Sequence, residues 1–338
     1  MFAQQDIPAE TPIVLIPTSL LITPETSKTA LAKYLHPTAL DKLTDRDSVL
    51  LYLIVTRLGL TPAISEHAPY VAILPRTFDT PLHFTNEDLA LLSGTSLYHS
   101  ANKRLHETKE AAARVLPLLP VSVSIPTAEW LSLWRWADDV YASRSFPGRV
   151  ASLPDYPVLV PGLDSINHAR GMPVLWSHDG DAVVLTLGTP VQGGSQIFNN
   201  YGAKSNEELI LSYGFVEPGC PDDVLVLRLR DGDTFYWRHS DDKAPAPLLE
   251  ALSNMIATES DAAPIEREAH AYELLEEFLL EKRRSFRQSQ YEFDLAEHVA
   301  RPHIAAMVRE YRAGQISLLN HAIKATRRRM EELVDELE

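Results

Sequence analysis

Two short stretches hold the polar side chains best placed to do chemistry. PGLDSINHA sets Asp164, Asn167 and His168 just after the apolar run VLV. FNNYGAKSNEEL sets Asn199, Asn200, Tyr201 and Asn206 in a strand-to-helix turn. Hydrogen-bonding tips at the ends of buried strands are costly unless they are paired or used. Used, they would hold and orient a bound molecule. Paired, Asn167 and His168 would simply tie two strands together, and YG before a capped helix would be ordinary turn chemistry. The residues alone leave both readings open.

The elements around them follow from periodicity. Residues 6–23 carry short apolar runs punctuated by Pro8, Pro12 and Pro17, which suit edge strands and turns. From about residue 38 the pattern predicts helices: DRDSVLLYLIVTRLG ending at Gly59, TNEDLALLSG with a Thr85–Asp88 capping box, LYHSANKRLHETKEAAARVLPLL, and TAEWLSLWRWADDVYASR. In the last, Trp130, Trp134, Ala137 and Tyr141 form a helical stripe read as core packing. From about 145, YPVLVPGLD, GMPVLWSHDG, DAVVLTLG and GSQIFNN read as short strands. SNEELILSYGF reads as a helix with a Ser205–Glu208 box and Gly214 at its end, and DVLVLRLRDGDTFYWR as a hairpin about Asp231-Gly232. SDDKAPAPLLE, with Pro245 and Pro247, reads as a linker into a helical tail. There Arg327–Glu331 and Arg328–Glu332 are expected to form weak surface pairs, and RRRMEEL reads as a solvated helix face.

Composition narrows the function classes. The 338 residues are 45% hydrophobic and 23% charged, a globular balance with ample material for a core. Cys220 is the single cysteine, so neither an internal disulfide nor a cysteine-rich zinc cluster can form. It is expected to be an exposed thiol in the loop EPGCPDD. His298 and His303, five apart in the tail, have a poor metal spacing. MFAQQDIPAE lacks the basic start and apolar run of a signal peptide, and no apolar stretch reaches the roughly 20 residues a bilayer needs. A cytoplasmic or nuclear setting is expected. The formal net charge of −15 would repel nucleic acid and anionic lipid and attract a basic protein.

LDSINHA and FNNYGAKSNEELILSYGFVE together resemble the two signatures of SET domains, D-x-x-N-H and Y-x-x-K-S-N-x-E-L-x-L-x-Y-G-F, in the subgroup typified by Rubisco large-subunit methyltransferase. DIPAETPIVLIPTSLLIT is similar to that family's opening strands, LPRTFDTPLHFTNEDLALLSGTSL to its inserted helical region, and YASRSF to its S-R-x-F motif. The tail resembles its C-terminal domain in character only. The resemblance implies an α+β fold: a SET-domain β core from 1–37 and 145–240, an inserted helical region at 38–144, and a C-terminal all-α substrate-binding domain at 245–338.

The resemblance also implies a chemistry. The family transfers a methyl group from S-adenosyl-L-methionine to a protein lysine, in some members to a histidine, without a metal. Asn167 and His168 would contact the cofactor, Arg144 and Phe146 would border its pocket, and Asp164 would shape the site floor. Tyr201 would be the catalytic tyrosine, and Tyr213 and Phe215 would line the channel for the substrate side chain. Two features depart from the pattern. The position after S-R-x-F reads PGR, with Arg149 the nearest basic residue. The family's Gly-x-Gly segment before the first strand has no counterpart in MFAQQDIP. The expectation drawn from this is a chain starting inside a longer protein, the alternative being a short form with an incomplete cofactor pocket. Three functions therefore stand: a lysine methyltransferase acting on a non-histone, basic protein, a histidine methyltransferase, and a non-catalytic protein-binding module.

Overall fold

The computed structural model describes residues 1–60, 66–229, 232–257 and 263–337. In chain order the strands and α-helices are β1 (Pro12–Pro17), α1 (Pro24–Leu31), α2 (Pro37–Leu40), α3 (Asp45–Leu58), α4 (Ala68–Ile73), α5 (Asn86–Ala90), α6 (Ser96–Val115) and α7 (Thr127–Arg144). They continue with β2 (Ser145–Pro147), β3 (Pro157–Leu159), β4 (Val174–Asp179), β5 (Ala182–Leu187), α8 (Asn206–Tyr213), β6 (Val224–Arg228), β7 (Thr234–Arg238), α9 (Ala246–Ala257), α10 (Pro264–Glu297) and α11 (Pro302–Leu337). The chain divides into two compact units, one of Met1–Phe78 with Lys103–Ala203, the other of Asp79–Asn102 with Lys204–Glu338. Each draws on several of the segments read from the sequence.

In the first unit β5 is the middle strand of an antiparallel sheet ordered β1-β5-β4. Its residues Val183, Leu185 and Leu187 are buried, as a central strand requires. The proline-bounded β1 lies at the edge, where missing N–H donors cost least. Beside the sheet, β2 pairs with β3, setting Phe146 opposite Val158. The opening residues are tied to the same unit: the Ala3 N–H donates to the Ser195 carbonyl at 2.9 Å, and the Ile7 N–H to the Val191 carbonyl at 2.8 Å.

The helical core of this unit is α3 on α7. A Thr44–Asp47 capping box starts α3, and Gly59, with φ of 61°, ends it in the left-handed conformation that glycine adopts without strain. Every residue from Asp47 to Thr56 is buried, so α3 runs through the core. The buried Asp47 carboxylate is held by both Nη atoms of Arg114 at 2.7 and 3.1 Å. The Trp130, Trp134, Ala137, Tyr141 stripe is buried, as its spacing predicts.

In the second unit the hairpin β6–β7 pairs Val224 with Arg238 through Arg228 with Thr234. Its expected turn residue Asp231 lies outside the described residues. Leu225, Leu227 and Trp237 join Leu275, Leu279, Leu318 and Leu319 of α10 and α11 in one core. A second core joins Leu91, Leu92 and Leu97 with Ile210, Phe293 and Tyr311.

Several expectations need correction. Helix begins at Pro24, not near residue 38: Thr23 caps α1 through Thr26, and Pro24 sits where a missing N–H does no harm. GSQIFNN forms isolated bridges, Phe2 with Gln196 and His168 with Asn199, instead of a strand. The proline-rich linker already contains the start of α9 at Ala246, with Pro247 in its first turn. Arg327 reaches across to Glu276 at 2.5 Å, and Arg328 donates to the Asp242 carbonyl at 2.7 Å, in place of the pairs along the helix. Cys220 is buried, 5% exposed, with its thiol 3.3 Å from the Lys204 carbonyl.

Candidate active site

Six of the eight site residues read from the sequence lie in the first unit. The chain leaves β3, turns at Gly162, and makes a short helical turn over Leu163–Ser165 before Asn167 and His168. The segment Asn199–Tyr201 then runs parallel to it. The Asn199 N–H donates to the Asn167 carbonyl at 2.7 Å, and the Ala169 N–H to the Asn199 carbonyl at 2.8 Å. The two sequence clusters are therefore joined backbone to backbone. Asn199 is 1% exposed, and its side-chain oxygen accepts from the Asn200 N–H at 2.7 Å, so it shapes the turn.

This pairing sets Tyr201 against His168. Their rings stack with centroids 4.9 Å apart, 20° between planes. The Tyr201 N–H donates to His168 Nδ1 at 3.0 Å, so that nitrogen is the acceptor and the proton belongs on Nε2. The Tyr201 hydroxyl donates to the Ile166 carbonyl at 2.9 Å. Burial is the main cause that raises the phenol's pKa; the guanidinium of Arg144 pulls it down and the Asp164 carboxylate pushes it up. The phenol thus stays protonated at neutral pH. Asn167 is exposed, which removes the reading of Asn167 and His168 as a buried strand-tying pair.

Asp164 lies beneath this layer. Its side chain is 1% exposed. The carboxylate accepts from Arg144 Nη1 at 3.0 Å, from the Tyr70 hydroxyl at 2.8 Å and from the Gly162 N–H at 3.1 Å. Arg144 also donates to the Asp164 carbonyl at 3.2 Å. A buried carboxylate with this many donors fixes the loop that carries Asn167 and His168. Burial and the Asp164 charge together push the Tyr70 hydroxyl's pKa far up. Phe146 packs on Trp176, centroids 5.0 Å apart.

Tyr213 and Phe215 belong to the second unit. They make an edge-to-face pair, centroids 6.1 Å apart, around Gly214. Gly214 has φ of 75°, and a Cβ there would meet the Asp79 carbonyl carbon at 2.8 Å, so only glycine fits. Asn206, two residues after Lys204 in the same motif, is 2% exposed and clamps the start of α8. Its amide donates to the Glu217 carbonyl and to Asp223, each at 2.9 Å, and its oxygen accepts from the Glu217 N–H at 2.7 Å. Tyr70 and Asp223 were not singled out in the sequence. Asp223 opens the run read as a hairpin, but that pattern gives no sign of its partner, and each of the two meets its partner only through the fold.

No family model matches the chain. It is 38% identical over 166 residues to the ribosomal lysine N-methyltransferase set10 of Schizosaccharomyces pombe, covering 47% of this chain and 30% of that protein. It is 25% identical over 283 residues to the mouse actin-histidine N-methyltransferase, covering 80% of this chain and 46% of that one. The chain spans less than half the length of both relatives. The solved structure of Rubisco LSMT bound to sinefungin and monomethyllysine superposes with a TM-score of 0.76 at 20% identity, covering 98% of this chain and 85% of the other. The fold is therefore the SET fold of the Rubisco LSMT type, with its C-terminal helical region. Its homologues include SET-domain lysine methyltransferases alongside the histidine enzyme.

Proposed function

We propose that the chain is an S-adenosyl-L-methionine-dependent protein-lysine N-methyltransferase. The observation that carries this reading is the backbone pairing that sets Tyr201 beside Asn167 and His168. The donor set suits a sulfonium cofactor. The Ile166 carbonyl and the Tyr201 hydroxyl supply oxygen acceptors, and the Arg144 charge is neutralised by Asp164, so no bare cation opposes a positive ligand. Asn167, with its exposed amide, and His168 would hold the cofactor, with Arg144 and Phe146 bordering it. Bound there, S-adenosyl-L-methionine would supply an electrophilic methyl group.

The chain's own residues have two tasks. The first is positioning. Tyr201 is fixed at its N–H by His168 and at its hydroxyl by Ile166, so its oxygen needs no reorganisation during transfer. The second is to bring the acceptor lysine in neutral. With an ordinary pKa near 10.4, deprotonation at pH 7 costs about 4–5 kcal/mol. An apolar aromatic passage lowers that cost by desolvation, the part we assign to Tyr213 and Phe215. The acidic net charge supports a basic protein as substrate. Among the described residues no helix is long and apolar enough to cross a membrane.

The experiment is methyl transfer from isotopically labelled S-adenosyl-L-methionine to lysine-rich proteins, with tandem mass spectrometry of the product. The reading expects label on a lysine Nζ, lost in Tyr201→Phe. The likeness to an actin-histidine enzyme over 80% of the chain supports a second reading, under which the label falls on an imidazole nitrogen. Label that persists unchanged in Tyr201→Phe overturns the site assignment.

A further inference from the structure

The groove between α10 and α11 has an unusual floor. Arg312 is 3% exposed and makes no ion pair with any described residue. Its guanidinium lies between two rings, 4.5 Å from the Phe286 centroid and 5.1 Å from that of Phe293. Nη1 donates to the Ser93 carbonyl at 2.7 Å and Nη2 to the Ser289 hydroxyl at 3.0 Å, while the buried Nε has no acceptor among the described residues. Desolvating a charge is costly unless a counter-charge meets it. Two ring faces offset part of that cost but supply no counter-charge. The carboxylates that act on Arg312 from a distance are engaged elsewhere, Asp294 with Gln290 and Glu292 with Ser93.

Arg312 lines a cavity of about 300 Å³ whose described walls contain no acidic residue. Phe286, Phe293, Ala313 and Ile316 make it apolar, and Arg287 and Arg309 stand at its rim. Arg309 also holds Glu297, whereas the exposed Arg287 has no ion pair among the described residues. From Arg309 to Asn320 the groove follows α11 for about 16 Å at 1.5 Å per residue. That is the reach of roughly five residues of extended chain.

We infer that this groove docks an acidic peptide segment of a partner protein, with an apolar side chain seated between α10 and α11 and carboxylates on the arginine rim. The inference does not depend on the methyltransferase reading. Charge complementarity selects the occupant: in a chain of net charge −15 this is a basic groove without acidic walls. The apolar floor favours a peptide over nucleic acid. Phe286 and Phe293 are 8% and 2% exposed and their faces are taken by Arg312, so they offer no stacking platform for bases. The global charge still favours a basic substrate elsewhere, so one partner can carry both signs.

The test is a fluorescence-anisotropy titration of the full chain with a labelled peptide Asp-Glu-Phe-Asp-Glu-Leu. Saturable binding is expected, weakened by rising salt and at least about tenfold weaker in Arg287→Glu and in Ala313→Glu. Both positions are exposed, and circular dichroism checks that each variant stays folded. A peptide with Lys for each acidic residue should not bind, and one with Ser for Phe should bind at least about tenfold more weakly. No saturable binding, unchanged affinity in both folded variants, or a polyuridylate oligonucleotide that binds more tightly than the peptide would each overturn the inference.

Discussion

Tyr201 leans on His168 twice, through a ring stack at 4.9 Å and through its own N–H, which donates to Nδ1 at 3.0 Å. The tyrosine is thus oriented by the motif that carries Asn167, and its hydroxyl is aimed at Ile166 in that same loop. Removing the hydroxyl with Tyr201→Phe should cost only about 1 kcal/mol of stability, the net worth of one hydrogen bond. Methyl transfer should fall at least about 100-fold, the scale of losing one preorganised polar contact. Thermal melts beside initial rates separate the two effects. A variant that melts like wild type and keeps its rate would show that the phenol is a packing residue.

Asp164 should be the most sensitive position in the site. It is buried and bonded to Arg144, Tyr70 and Gly162. Asp164→Leu should destabilise by about 3–5 kcal/mol, because it strands a partly buried guanidinium. Combining it with Arg144→Met should restore part of that loss, read as positive coupling in a double-mutant cycle of denaturant unfolding. Strict additivity would mean that the pair is not coupled.

Acid should weaken the first unit through His67. Its Nδ1 faces the Tyr52 hydroxyl at 2.5 Å and its Nε2 the Leu20 carbonyl at 3.0 Å, an arrangement that suits the neutral ring. Burial, the leading cause, lowers its pKa below the ordinary 6.5 despite the opposing pull of the Leu20 carbonyl and Glu66. As pH falls below 6.5 the unfolded chain takes up a proton that the folded one refuses, so stability is lost with acidification and is fully present above that value. His67→Gln should flatten the dependence of melting temperature on pH in this interval. An identical slope in the variant would assign the acid sensitivity to other groups.

The buried thiol of Cys220 gives a probe of the second unit. Under native conditions a thiol reagent should label it far more slowly than in denaturant, since access requires opening the loop around the Lys204 carbonyl. Equally fast labelling in both states would place the thiol at the surface.

Much of the site was legible because local signals and tertiary role coincide. The capping boxes at Thr85 and Ser205 start helices that the sequence marks, and Gly59 and Gly214 end helices where the sequence places them, whereas α3 is capped by Thr44 and not by the Asp residues that follow it. The Asn167–His168 and Tyr201 clusters meet because each follows a short apolar segment of one unit. What could not be read depends on distant partners. Tyr70 finds Asp164 across 94 positions and Arg312 finds Ser93 across 219, and neither distance leaves a trace in periodicity. EPGCPDD read as an exposed loop because Pro, Gly and Asp dominate it, yet Asp223 turns inward to Asn206 and takes Cys220 with it.

Calorimetric titration of the chain with S-adenosylhomocysteine, in wild type and in Asn167→Ala, tests the central claim most directly. Saturable heat with one site, at least about tenfold weaker in Asn167→Ala, is the predicted result, since the exposed amide is assigned to the cofactor and not to the fold. Binding of equal strength in the two proteins, or no saturable heat in either, would contradict the claim that this loop holds a methyl donor.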